Sequence, residues 1–346
     1  MSSFASLPAG RRFALLLALA AFGPACTSAA DASPDASAPG ESAGGTPAGP
    51  PPAAVAFAVA PGDSVAAISP ATRALFDRIV AAADSQNVAQ KPYGEIVQWV
   101  GDQLRGRPYA AGLLDAPPRE TLLADLTQFD CVLYIENVLA VAHGIATGDA
   151  TPEAFVAEVA RMRYRGGAMN GYGSRLHYFT EWIADNETRG TLRNVTGDAG
   201  GVALDTRIVF MSEHRAAYPR LADAAAFDSV LAAESRLAGL DLVYIPKARI
   251  AEAYARLQPG DVVAMATSIG GLDVTHTGFV HVTPAAAGAA GRTGFLHASS
   301  ASNAVTLSPD LHAYVRDIRN QTGIVVARPL DPRTDRASGP GEPGPE

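Results

Sequence analysis

Cysteine is scarce in this chain: 346 residues contain two, Cys26 and Cys131. No intradomain disulfide framework can be built from them, even though an exported protein would be free to have one. A lone cysteine in the part that can fold also argues against structural zinc. No His-Glu-x-x-His helix supplies a catalytic metal site, so neither metal nor other cofactor is expected. In the same part no Gly-x-Ser-x-Gly elbow occurs, which speaks against a serine hydrolase. No basic run follows the N-terminus and the formal net charge is −8, which excludes nucleic acid as a natural partner. There is no internal repeat. The apolar run Phe13 to Phe22 is shorter than the roughly 20 residues a lasting membrane span needs.

That run follows Arg11-Arg12 and leads into small residues up to Cys26, the pattern of an export signal over residues 1–26. Cys26 directly after Ala25 fits a lipoprotein signal, in which this cysteine is lipidated and anchors the protein facing the periplasm. Gly23-Pro24-Ala25 lack the leucine usual three positions upstream, so ordinary signal cleavage stays open. Residues 27–62 are mostly Ala, Pro, Gly and Ser and read as a disordered tether, because they cannot bury enough surface to offset their ordering entropy. A domain is expected over 63–330 and a loose tail over 331–346. Cys131 is then a free thiol in an oxidising compartment, a liability unless it is deeply buried or chemically used.

Apolar spacing predicts helices over Ile68 to Ala83, with Ser69-Pro70 as cap and first turn, and over Lys91 to Leu104. The strongest helix runs from Cys131 to His143, with Val132, Ile135, Leu139 and Ala142 as its stripe and Asp130 as its N-cap. Two more are expected from Thr151 to Met162 and from Ser174 to Ala184. Strands are expected at Ile208 to Met211, Leu242 to Ile245, Val262 to Ala266, Thr275 to Val282, Thr293 to Ala298 and Thr322 to Ala327. Helices first and sheet afterwards indicate an α+β fold, with a mixed region inserted between Gly190 and Leu257.

The chemistry centres on Cys131. A free cysteine, with a pKa of about 8.5, is mostly protonated at neutral pH, and a helix N-terminus is expected to lower that value. An adjacent imidazole activates the sulfur further, and a third polar group orients that imidazole. Seven histidines are available. Strand alternation puts His276, Gly278 and Val280 on one face and Thr277, Phe279 and His281 on the other, so His276 and His281 cannot both face Cys131. Gly278 is expected to leave space for a substrate chain, which favours His276 as the base. On the next strand Phe295, His297 and Ser299 share a face, and His297 is the natural orienter.

Gly106-Arg107-Pro108-Tyr109, Asp130-Cys131, His276-Thr277-Gly278-Phe279 and Leu296-His297-Ala298-Ser299 resemble the NlpC-type papain-like cysteine hydrolases of peptidoglycan. The similarity is closest to their N-acetylmuramoyl-L-alanine amidase-like branch. Tyr164-Arg165-Gly166-Gly167, Ser174-Arg175-Leu176-His177-Tyr178 with Trp182 and Asp185-Asn186, and Gly260-Asp261-Val262-Val263 carry it. The resemblance spans roughly residues 70–328 and departs at Val132, where the family usually has serine. It implies a papain-like fold with N-terminal helices on an antiparallel sheet, and a Cys131, His276 and His297 triad without cofactor. It also implies Tyr109 beside the scissile carbonyl, and Arg175, His177 and Tyr178 at the substrate. The implied substrates are muropeptides, cut at the lactyl amide between N-acetylmuramic acid and L-alanine through an acyl-enzyme. Two other readings stay open: an endopeptidase cutting between D-glutamate and the diamino acid, and a cell-wall-binding lipoprotein that no longer catalyses. His177 and Glu181, four apart on the expected helix, could be only a surface pair. Arg161, Arg163 and Arg165 could hold substrate carboxylates or be merely solvated.

Overall fold

The computed structural model describes residues 59–285 and 291–336. The expected signal, Cys26 and most of the tether fall outside them.

Four helices come first: α1 (Pro70–Ser85), α2 (Tyr93–Gln103), α3 (Cys131–Thr147) and α4 (Pro152–Arg163). Ser69 caps α1 by accepting the Thr72 amide at 3.0 Å, with Pro70 opening the first turn. Thr151 caps α4 in the same way, accepting the Ala154 amide at 3.1 Å. The short strands β1 (Ser64–Val65) and β2 (Thr121–Leu122) pair in parallel beside this layer. After α5 (Phe179–Thr188) the chain turns to β structure. The strands are β3 (Leu192–Asn194), β4 (Val202–Ala203), β5 (Val243–Pro246), β6 (Val262–Thr267), β7 (Val274–Thr283), β8 (Arg292–Ser299), β9 (Ala304–Ser308) and β10 (Gln321–Pro329). They form one sheet in the order β4-β5-β10-β6-β7-β8-β9, with β3 added on β10, and every pairing is antiparallel. The class is α+β, as helices followed by strands imply.

Both sheet faces are covered, which is why β6 is buried throughout, with an apolar run from Val262 to Ala266 rather than an alternation. Val262, Ala264, Phe279 and Leu296 pack on the helical layer. Val263, Met265, Val280 and Phe295 pack on the opposite side, with Ile250 of α8 (Ile250–Ala253) and with Leu311 and Val315 of α9 (Leu311–Arg316). Helix α3 is not striped as its periodicity suggests. Every residue from Leu133 to Ala142 is buried, because α2 and α4 flank it and the sheet lies beneath. Its buried Asn137 and Glu136 side chains both make hydrogen bonds, although Asn137 Oδ1 has no partner among the described residues. Asn137 donates to the Leu133 carbonyl at 2.6 Å, and Glu136 receives Arg163 at 2.7 Å and Trp182 at 3.2 Å.

Several expectations are corrected. Ile208 to Met211 is not a strand: α6 (Phe210–Glu213) starts inside it, and Ile208 and Met211 pack with Val230 and Leu237 of α7 (Ala224–Leu237). Helix α5 starts at Phe179 rather than Ser174. Ser174 ends a 3₁₀ turn, and α5 begins where the Asp273 carboxylate accepts the Thr180 amide at 2.8 Å. His177 therefore precedes the helix and forms no helical pair with Glu181. Arg161, Arg163 and Arg165 are paired with Glu158, Glu136 and Glu181; Arg163 is buried and the other two are partly exposed. The described residues also make contacts outside 63–330. Val59 bridges to Met169, and α10 (Pro332–Arg336) follows β10, with the Arg333 guanidinium donating to the Ala89 carbonyl at 2.7 Å.

The Glu136–Arg163 pair lies wholly inside the helical layer. Removing the arginine strands a buried carboxylate, whereas removing both partners does not. Arg163→Met should cost about 3–5 kcal/mol in urea unfolding. The double variant with Glu136→Leu should recover most of that loss, and equal destabilisation by the two would contradict the pairing.

Candidate active site

Asp130 sets the start of α3. One carboxylate oxygen accepts the Val132 amide at 3.0 Å and the Leu133 amide at 2.8 Å, leaving Cys131 as the first helical residue. Tyr109 is brought alongside because residues 108–110 bridge to Phe129, with the Ala110 amide on the Phe129 carbonyl at 2.9 Å.

The β7 strand meets this helix end with a bulge. Ala264 faces Thr277 and Ala266 faces Val274, so Thr275 and His276 lie opposite Met265 alone. Bulges re-aim side chains, and this one leaves His276 at the rim of the cavity that Cys131 also lines. From His276 onward the expected alternation holds, for Phe279 packs on the helical side and Val280 on the other. His281 points elsewhere, to Asp102 at 3.0 Å. His276 and His297 meet directly, Nε2 to Nδ1 at 2.8 Å, and the far nitrogen of His297 reaches the Ser308 hydroxyl at 3.3 Å. Ser308 lies on β9, a strand that sequence reasoning missed. Gly278 does not make room for substrate. A Cβ there would fall 2.7 Å from His297 Cβ and 2.6 Å from the Phe295 ring, so the glycine admits His297. Tyr314 closes the group, its ring 4.8 Å from that of His297 and 6.2 Å from that of His276.

The protonation states differ from the thiolate expected of a helix N-terminus. Burial and then the Asp130 carboxylate push the Cys131 thiol up to about 12, although the backbone amides of Thr277, Cys131 and Val132 act in the opposite direction. Burial lowers His276 to about 4, while burial and neighbouring His276 lower His297 to about 3. At neutral pH the thiol and both imidazoles are thus neutral. One tautomer set satisfies the imidazoles: His276 Nε2–H donates to His297 Nδ1, and His297 Nε2–H donates to Ser308. This leaves the His276 Nδ1 lone pair available. Tyr109 is held up to about 12 by burial and by the Cys131 and Asp130 charges, so its hydroxyl remains a donor.

The cavity encloses about 350 Å³ and runs from Cys131 and His276 past Arg175, His177 and Tyr178. These three line the wall in different ways. Buried Arg175 pairs with Asp115 at 2.6 Å. His177 bonds the Tyr172 carbonyl at 2.9 Å. Burial, followed by the nearby Arg175 charge, keeps His177 well below the usual histidine range. The Tyr178 hydroxyl is already committed, donating to Glu234 at 2.7 Å and accepting the Met211 amide at 2.8 Å, so only its ring can meet a ligand. Met211 and Tyr218, from the inserted region, complete the wall, and no motif marked them beforehand.

A resting neutral thiol should show itself in alkylation. Iodoacetamide labelling of the Cys131 peptide, read by mass spectrometry, should keep rising with pH and stay slow below the free-cysteine value of about 8.5. A plateau already reached at mildly acidic pH would indicate a thiolate–imidazolium pair instead.

A family model described as N-acetylmuramoyl-L-alanine amidase-like matches residues 99–324. No curated protein matches the sequence. Among solved structures, an N-acetylmuramoyl-L-alanine amidase from Bacteroides uniformis shares 31% identity, covers 68% of this chain and 98% of its own, and superposes with a TM-score of 0.62. A Bacteroides fragilis protein provisionally named a xylanase shares 30% identity over 66% of this chain and 99% of its own, at a TM-score of 0.61. A Legionella pneumophila protein at 19% identity, covering 75% of this chain and 97% of its own with a TM-score of 0.55, shares the fold. With the model match spanning most of the described residues and the B. uniformis amidase matched over nearly its whole length, the chain belongs to the N-acetylmuramoyl-L-alanine amidase-like family.

Proposed function

We propose that this protein is a papain-like cysteine amidase that releases the peptide from N-acetylmuramoyl-peptides, using Cys131 as nucleophile, His276 as base and His297 as its orienter. The observation that carries this reading is the position of the Cys131 sulfur. It is reached by the Thr277 backbone amide and shares one cavity with His276, whose Nε2 is fixed by His297. The proposed export signal and Cys26 anchor would bring such an enzyme to the cell wall.

In this mechanism His276 Nδ1 takes the thiol proton as sulfur attacks the lactyl carbonyl carbon, so no resting thiolate is required. The oxyanion forms near the Cys131 amide and the Tyr109 hydroxyl, both donors. Asp130 contributes by occupying the next two amides of the turn itself. Collapse expels the alanine nitrogen, which takes its proton from the His276 imidazolium and leaves a thioester. Water, deprotonated by His276, then releases the lactyl carboxylate and restores the thiol.

The xylanase name of one neighbour has less support here. A glycosidase needs two carboxylates free to flank the bond. The cavity carboxylates are engaged otherwise: Asp130 and Asp273 cap helices, and Glu136 and Asp115 pair with arginines.

The test is product mass from defined N-acetylmuramoyl-tripeptide. Wild type should release free tripeptide, and Cys131→Ala should release none. His276→Ala should lose about 10²–10⁴-fold, the usual contribution of a general base, and His297→Ala should lose less. Retained activity in Cys131→Ala, or products split after D-glutamate, would overturn the assignment.

A further inference from the structure

The two arginines of the cavity wall are paired in different ways. Arg163 and Glu136 are both buried, a closed pair. Arg175 is equally enclosed, its side chain 7% exposed, but its carboxylates are of two kinds. Glu120 is 1% exposed, accepts the Tyr164 hydroxyl at 3.0 Å, and stands 3.8 Å from Arg175 Nε, beyond hydrogen-bond distance. Asp115 makes the short contact, 2.6 Å to Nη2, yet is 60% exposed on the turn that begins at Gly112. Arg175 Nη1 donates to the Leu114 carbonyl of the same turn, and Nε has no hydrogen-bond partner. The guanidinium also lies 4.8 Å from the Tyr172 ring centroid.

A buried guanidinium in a cavity wall, closed off by one exposed carboxylate, has the chemistry of a carboxylate receptor. Two anions already surround one cation, so a third would be repelled unless one leaves. Glu120 cannot leave, since a buried carboxylate stripped of its partners is costly. Asp115 can, because its pairing faces solvent and is weak.

Deepening the amidase reading, we propose that Arg175 binds a carboxylate of the substrate's peptide arm, the free α-carboxylate of a γ-linked D-glutamyl residue, and that this group displaces Asp115. The cavity then selects acidic stem peptides over those amidated at that position.

The test is calorimetric titration of L-Ala-γ-D-Glu-diaminopimelate, and of its form amidated on the glutamyl α-carboxylate, into the full chain. Free-peptide binding needs no thiol chemistry, so this result and the fate of Cys131 turnover are read separately. Wild type should prefer the acid form at least about tenfold, the scale of one charge-assisted contact. Asp115→Asn should tighten the acid form about three- to fivefold, as expected on removing one weak competing pair, and leave the amidated form unchanged. Arg175→Met should erase the preference. Should that variant fail to fold, the exposed Asp115→Asn change still decides the matter. Equal wild-type affinity for the two peptides, no binding of either, or an Asp115→Asn protein that binds the acid form no better than wild type would overturn the proposal.

Discussion

Helix α3 is enclosed on every side, and its first residue is Cys131. Asp130 caps two amides of its first turn, α2 and α4 flank it, and Phe279 and Leu296 support it from the sheet. A helix held this way cannot slide along or tilt against β7 without opening the core. The sulfur is thereby fixed to one spot beside Thr277, and the bulge brings His276 to the same rim. Stability and chemistry rest on a single packing arrangement. The buried Glu136–Arg163 pair sits one turn further along and belongs both to the core and to the cavity wall.

The enclosure has a chemical consequence. The helix N-terminus favours a thiolate, but burial and the capping carboxylate that orders the turn oppose it, and their effect is larger. The same burial keeps both imidazoles neutral. In the proposed mechanism this resting group is neutral, and charge develops only when a carbonyl arrives. Such a thiol is also less exposed to oxidation than a standing thiolate would be.

Much of this was legible in the sequence because the signals were local. Asp130 before an apolar helix and Ser69-Pro70 are caps whose geometry depends on a few residues, and each forms as expected; the helix expected from Thr151 forms too. The unbroken apolar run Val262 to Ala266 marked a strand, and the strand is buried along its length. What escaped depended on distant partners. The start of α5 is set by Asp273, far along the chain. The run at Ile208 is too short for periodicity to separate helix from strand. The space at Gly278 reads as a substrate channel until His297 and Phe295 are seen to fill it. Tyr178 lines the cavity, but that Glu234 and Met211 from the insert take its hydroxyl is written in no local motif. The direction of the thiol's shift was misjudged for the same reason, since burial cannot be read from a motif.

The most direct measurement of the central claim is the mass of a trapped covalent intermediate. Acid quench of the protein with excess N-acetylmuramoyl-tripeptide, followed by intact and peptide mass spectrometry, should show an adduct on Cys131 equal to the muramoyl acyl group alone. An adduct that also carries alanine and glutamate, or one found on another residue, would contradict the account.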